Sequence, residues 1–218
     1  EPEWNVHKIK RFGASGVKLL VYYNPDSGEL VEEIEGLAAQ VIDDAHAADL
    51  PVFLEPVTYS ADAEVKKDSP EFAEERPRLI TETARRLSRL EPDVLKMEFP
   101  VDIFNGSSDP AIWETHCREL TEATTVPWVL LSAGVDFEDF ERQVEVALKS
   151  GASGYLAGRA IWKESVSMSP AERRSFLEGM AVARIERLNA LVDSHAVPWT
   201  EYYHYGAISD IWYKSYTA

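Results

Sequence analysis

The sequence predicts an α/β fold with a parallel sheet, on three observations. Five short runs, 16–23, 51–59, 93–100, 127–135 and 154–162, are rich in Val, Leu, Tyr or Phe and almost continuously apolar. Each is followed by a segment of helical character, and this alternation of strand and helix is the pattern of a parallel sheet covered by helices. Polar or charged residues recur within or just after the runs: Lys18, Glu55, Lys96 and Glu98, Ser132 and Gly134, Gly158 and Arg159. All are expected towards the C-terminal ends of their strands, where α/β enzymes assemble their sites.

The helices follow from spacing and end signals. Residues 30–48 place Leu30, Ile34, Leu37, Val41 and Ile42 at helical intervals, and 70–90 does so with Phe72, Leu79, Ile80, Ala84 and Leu87. The segment 109–125 opens with Asp109-Pro110, an N-cap followed by proline at the first helical position. Gly151 is the expected C′ residue of a helix over 137–150, and 168–194 reads as one long amphipathic helix opening at Ser169-Pro170-Ala171-Glu172. The charges of 66–89 are expected to form a solvated helix face.

Two architectures fit this pattern, a doubly wound sheet and a (β/α)8 TIM barrel. A dinucleotide-binding doubly wound domain requires a glycine-rich turn after its first strand, and Tyr22-Tyr23-Asn24-Pro25-Asp26 is nothing like one. No P-loop is present either. The barrel requires eight strands where five are counted, so pattern alone leaves both open.

At 218 residues the chain is long enough for one sizeable core, without repeats or linkers. A formal net charge of -16 argues against nucleic acid or an anionic membrane as a partner, though not against a small anion held by a few local cations. The single cysteine, Cys117, excludes an internal disulfide and fits a cytoplasmic location; its place in a helix suggests a buried, inert thiol. No apolar run approaches membrane-spanning length and no signal peptide is evident. His7, His46, His116, His195 and His204 are scattered, without metal-ligand spacing, so no metal is expected.

Alternation along Val94-Leu95-Lys96-Met97-Glu98-Phe99 puts Lys96 and Glu98 on one face of a strand and the apolar side chains on the other. In a barrel Lys96 then points inward, where it loses solvation beside a second cation, Lys18. Those conditions free an amine to attack a carbonyl. A structural ion pair of Lys96 with Glu98 or Glu55 fits the same residues equally well. Glu55, in Phe53-Leu54-Glu55, can shuttle protons for such an amine or simply neutralise it, and Lys18 can instead reach solvent. Ser132-Ala133-Gly134 and Gly158-Arg159 let backbone N–H groups approach an anion, with Arg159 adding a charge-assisted contact. Taken singly, each is also an ordinary strand-to-helix turn. Ser132 lacks the surroundings of a nucleophile elbow.

Together, Val17-Lys18-Leu19-Leu20, Phe53-Leu54-Glu55, Asp93-Val94-Leu95-Lys96-Met97-Glu98-Phe99-Pro100, Leu131-Ser132-Ala133-Gly134-Val135 and Gly158-Arg159-Ala160 resemble successive strands of the class I tagatose-1,6-bisphosphate aldolases and the related sulfofructose-phosphate aldolases. The resemblance runs from about residue 2 to residue 199. It implies a (β/α)8 barrel with these motifs on strands four to eight, over 1–198. It further implies Lys96 as the Schiff-base lysine, Glu55 as proton shuttle, Lys18 as a cation beside the reacting carbonyl, and a phosphate held by Ser132, Ala133, Gly134, Gly158 and Arg159. The implied activity is that of a metal-independent lyase, without cofactors, that cleaves a ketose 1-phosphate to dihydroxyacetone phosphate and an aldehyde. Nothing here corresponds to the family's first three strands, which carry an Asp-Gln pair. A non-catalytic sugar-phosphate-binding remnant is therefore the competing expectation. An open sheet exposes unpaired edges, so the chain is expected to associate as a homo-oligomer. The aromatic tail 199–218 is expected to pack on the barrel or on a neighbouring subunit.

Overall fold

Five parallel strands, β1 (Val17–Tyr23), β2 (Val52–Thr58), β3 (Val94–Met97), β4 (Trp128–Leu131) and β5 (Gly154–Leu156), form one sheet in the order β1-β2-β3-β4-β5. The computed structural model describes residues 3–203, 206 and 209–214. Each strand pairs with the next in sequence, and the sheet never reverses direction. A doubly wound sheet contains such a reversal, at the switch point where it binds its ligand. That order therefore removes the doubly wound alternative.

The helices between the strands are α2 (Glu29–Ala47), α3 (Pro70–Leu87), α4 (Pro110–Ala123) and α5 (Phe137–Lys149). Their boundaries have local causes. Ser69 caps α3 by accepting from Phe72 N and Asp109 caps α4 by accepting from Ala111 N, each followed by proline at the first helical position. Gly151, just beyond α5, takes the left-handed conformation at φ 110°. A seven-residue helix, α1 (Val6–Phe12), precedes β1 and escaped the sequence reading; Asn5 caps it and Gly13 ends it at φ 94°. The segment expected to be one long helix is divided into α7 (Pro170–Phe176), a π-helical turn (Leu177–Ala181) and α8 (Val182–His195). The chain enters this region through a four-residue helix, α6 (Arg159–Trp162).

One sheet face carries the core. Leu54, Leu95, Met97, Trp128 and Leu130 are buried against Ile80, Ala84, Leu87, Leu120, Phe140 and Val144 of the helices. A smaller cluster joins Val6 of α1 to Val17, Ile42, Ala45, Leu50 and Val52. The other face carries Lys18, Leu20 and Tyr22 of β1, and Tyr22 is 66% exposed. At the N-terminal end of that face, Trp199 and Tyr203 of the tail lie against Phe53, Val94 and Val129 across a cavity of about 420 Å³. The Tyr203 hydroxyl donates to Asp93 O at 2.6 Å, so this part of the tail packs on the sheet. Tyr205 and Tyr216, also assigned to the aromatic tail, and His204 lie outside the described residues. Among the described residues no helix is long and apolar enough to cross a membrane.

Candidate functional site

Two groups of the residues singled out from sequence come together. In the first, Glu55 Oε2 accepts from Lys96 Nζ at 3.0 Å and pairs with Lys18 Nζ at 2.5 Å. Two ammonium groups thus share one carboxylate oxygen. Glu55 is buried, with 9% of its side chain exposed; the figure is 18% for Lys96 and 48% for Lys18. Burial pushes the Glu55 carboxyl up, but hydrogen bonds from Lys18 and Lys96, reinforced by their charges, outweigh it and hold the group below the usual carboxylate range. Glu55 is therefore an anion at neutral pH, within contact of both amines.

Lys18 corrects one expectation. It is the second residue of β1, at the N-terminal end, and pairs in register with Phe53 rather than with Glu55. Its long side chain reaches along the sheet to the carboxylate, which is how a lysine can serve a site above its own backbone.

Glu98 corrects a second expectation. β3 ends at Met97, and Glu98 makes no pair with Lys96. Its carboxylate instead accepts from Thr58 N and Thr58 Oγ1, both at 2.7 Å, and from Lys67 Nζ at 2.7 Å, with Arg76 Nη2 at 3.6 Å. Lys67 and Arg76 fall in the stretch read as a solvated face, yet Arg76 is buried and its Nε donates to Phe99 O. Periodicity shows which way a helix residue points but not what tertiary partner it meets, so this network left no sequence signal.

The second group lies beyond β4 and β5. Ser132, Ala133 and Gly134 follow the end of β4 rather than lying within it; Ala133 and Gly134 take φ 48° and 81°. A Cβ added to Gly134 would stand 3.2 Å from Arg159 Cζ, so the guanidinium lies directly over the glycine. Gly158 precedes α6 and Arg159 is its first residue. Arg159 is exposed and has no ion pair among the described residues. Lys163, one helical turn after Arg159 and overlooked in sequence, donates to Gly134 O at 3.0 Å and pairs with Asp136 at 2.6 Å. The i, i+4 spacing from Arg159 was its available signal. The two groups stand towards the same end of the sheet but share no hydrogen bond or ion pair among the described residues.

The remaining candidates are structural. Cys117 is buried, which pushes its thiol up and leaves it inert. His46 pairs with Asp93 and His116 with Glu119, both near the surface.

Residues 2–164 match the family model described as DeoC/LacD family aldolase. The chain belongs to this family. It is 34% identical over 216 residues to tagatose 1,6-diphosphate aldolase 2 of Streptococcus pyogenes serotype M3, an alignment covering 91% of this chain and 65% of that protein. The tagatose 1,6-diphosphate aldolase of Staphylococcus epidermidis is 33% identical, with 90% and 66% covered. The chain thus spans just under two thirds of the length of these curated relatives.

Among solved structures, an archaeal fructose-1,6-bisphosphate aldolase, captured with its catalytic Lys bound to the carbinolamine intermediate, superposes with a TM-score of 0.58 at 22% identity. It covers 84% of this chain and 62% of that one. The fructose-bisphosphate aldolase of Slackia heliotrinireducens gives 0.57 at 20% identity, with 87% and 57% covered. At these identities the likeness is one of fold: the chain has the aldolase-type α/β architecture.

Proposed function

We propose that this chain carries the Schiff-base site of a class I aldolase, a metal-independent lyase that cleaves a ketose 1-phosphate to dihydroxyacetone phosphate and an aldehyde. The observation that carries it is the lysine pair on one carboxylate oxygen, with Lys96 the more buried amine. Glu55 takes a proton from Lys96, and the free amine attacks the C2 carbonyl to form a carbinolamine. Loss of water, with Glu55 returning the proton, gives the iminium. The C3–C4 electron pair then moves into the iminium as Glu55 takes the proton of the C4 hydroxyl and the aldehyde departs. Glu55 delivers that proton to C3, and hydrolysis of the iminium releases dihydroxyacetone phosphate and restores the amine. Lys18 supplies a cation beside the reacting carbonyl and favours the electron-rich states.

Arg159, unpaired over Gly134, supports a phosphate site built from Ser132, Ala133, Gly134, Gly158 and Arg159. The sequential strand order supports reading β1–β5 as strands four to eight of a (β/α)8 barrel, within a domain over 1–198 followed by the tail. Tagatose 1,6-bisphosphate and 6-deoxy-6-sulfofructose 1-phosphate are the two substrates in view, and the first is favoured by the activity named for the relatives. The exposed sheet face favours one second reading, a remnant that binds sugar phosphate without turning it over.

The test is intact-mass spectrometry after incubation with dihydroxyacetone phosphate and borohydride, followed by peptide mapping. A reduced adduct on Lys96, absent from Lys96→Ala, is expected. Phosphate binding with no adduct in folded protein would replace the aldolase with the binding remnant.

A further inference from the structure

The ladder between β2 and β3 stops early. β1 and β2 pair over their full length, from Val17↔Val52 to Tyr23↔Thr58, whereas β2 and β3 pair only at Phe53↔Val94 and Leu54↔Leu95. Glu55 and Lys96 are the next residues on each strand. Their ion pair therefore sits just above the last register pair, where the ladder between the two strands ends.

The next link upward is Glu98. Its Oε2 accepts both the backbone N–H and the hydroxyl of Thr58, at 2.7 Å each. The Thr58 N–H is thus taken by a side chain where a ladder would have used a backbone carbonyl. The other oxygen accepts from Lys67, which also donates to Thr58 O at 2.8 Å. Arg76 completes the cluster and holds the neighbouring Phe99 carbonyl at 3.0 Å. Only a carboxylate fits this place: one oxygen must accept two donors while the other faces two cations, and an amide nitrogen on either side would meet donors.

We propose that Glu98 is a positioning residue for the Lys96–Glu55 pair. Standing in for the absent ladder bonds, it joins the C-terminal ends of β2 and β3 and so sets the separation of lysine and carboxylate. The geometric part stands on these contacts alone; the catalytic consequence rests on the Schiff-base reading above.

Glu98→Gln tests it. At saturating dihydroxyacetone phosphate, the rate of borohydride-trapped adduct should fall about 10- to 100-fold, the effect of a misplacement of about 1 Å. The half-saturating concentration should stay unchanged. The acid limb of the pH–rate profile should move to higher pH, because Glu55 loses part of the cation that keeps it ionised. A merely structural role would leave that profile in place. Wild-type rate and profile in folded Glu98→Gln would overturn the proposal.

If that variant does not fold, Thr58→Val keeps every charge and removes one of the four contacts; it should show the same pattern at about 3- to 10-fold, and wild-type kinetics would again overturn it. The Lys96 side-chain NMR resonances, compared between wild type and variant, separate the two readings. Shifted resonances with no adduct even in wild type would remove the Schiff base and keep the positioning role. Unmoved resonances would remove the positioning role whatever the trapping result.

Discussion

Glu55 is the residue on which the site depends, because both lysines draw on the same oxygen. Substituting it therefore removes the shared partner of both amines at once. Glu55→Gln leaves the hydrogen-bonding shape but removes the base. Adduct formation with dihydroxyacetone phosphate should slow by about 10²- to 10⁴-fold, with phosphate affinity unchanged. An adduct rate within a few-fold of wild type would take the proton shuttle away from Glu55. That Lys96 and Glu55 stand out as charged residues on apolar strands was legible from alternation and strand context. The true place of Lys18 was not, because a strand pattern gives the level of a Cα and not the reach of a four-carbon side chain.

At the scale of elements, the helix-to-strand turn between α5 and β5 is defined by a close backbone approach. Gly151 has φ 110°, and a Cβ there would fall 2.6 Å from Thr121 Cγ2. Thr121 cannot simply yield, since its hydroxyl donates to Ser150 O at 2.7 Å and accepts from Trp128 Nε1 at 3.0 Å. Gly151→Val should therefore destabilise by about 2–3 kcal/mol, a combination of left-handed strain and overpacking. Urea unfolding should show an earlier midpoint at unchanged slope, and a midpoint equal to wild type would mean that the turn relaxes freely. The cap at Asp109 was readable because capping is local chemistry. α1 was missed although Asn5 and Gly13 flank it, since seven residues offer too little apolar periodicity to register. The π-helical turn at Leu177–Ala181 was missed for the complementary reason: an amphipathic pattern runs through it almost undisturbed.

For the whole molecule, the carboxylates that join elements make stability depend on pH. Burial pushes Glu98 up, but the charges of Arg76 and Lys67 and the hydrogen bonds from Lys67 and Thr58 hold it below its usual range; Glu55, with its two lysines, and Glu35 of α2, which accepts from Arg86 of α3 at 2.7 Å, are lowered in the same way. A depressed folded value means that the unfolded chain binds more protons. The stabilisation is therefore complete above the ordinary carboxyl value of about 4.3 and is lost as pH falls through the folded values. Each such group adds a slope of up to about 1.4 kcal/mol per pH unit within that window. Urea midpoints measured from pH 7 to pH 3 should be flat down to about 5 and then fall steeply; a flat profile to pH 3 would mean that these pairs do not join the fold. Among the described residues, β1 and β5 are the outer strands of the sheet, and one face carries the exposed Leu20 and Tyr22.

The amino-acid sequence alone determined the alternation of strands and helices, the parallel sheet, and the identity of Lys96, Glu55 and Arg159 as residues out of place on apolar strands or at their ends. These follow from local rules, namely periodicity, capping and the cost of burying charge, which act over a few neighbouring residues. Tertiary structure decided that the strands run in unbroken order, that Lys18 and Lys96 meet on a single oxygen, and that Glu98 turns from Lys96 to join β2 to β3. Those contacts link residues some 40 positions apart, and their formation depends on where a ladder ends and how far a side chain reaches, neither of which local patterning encodes.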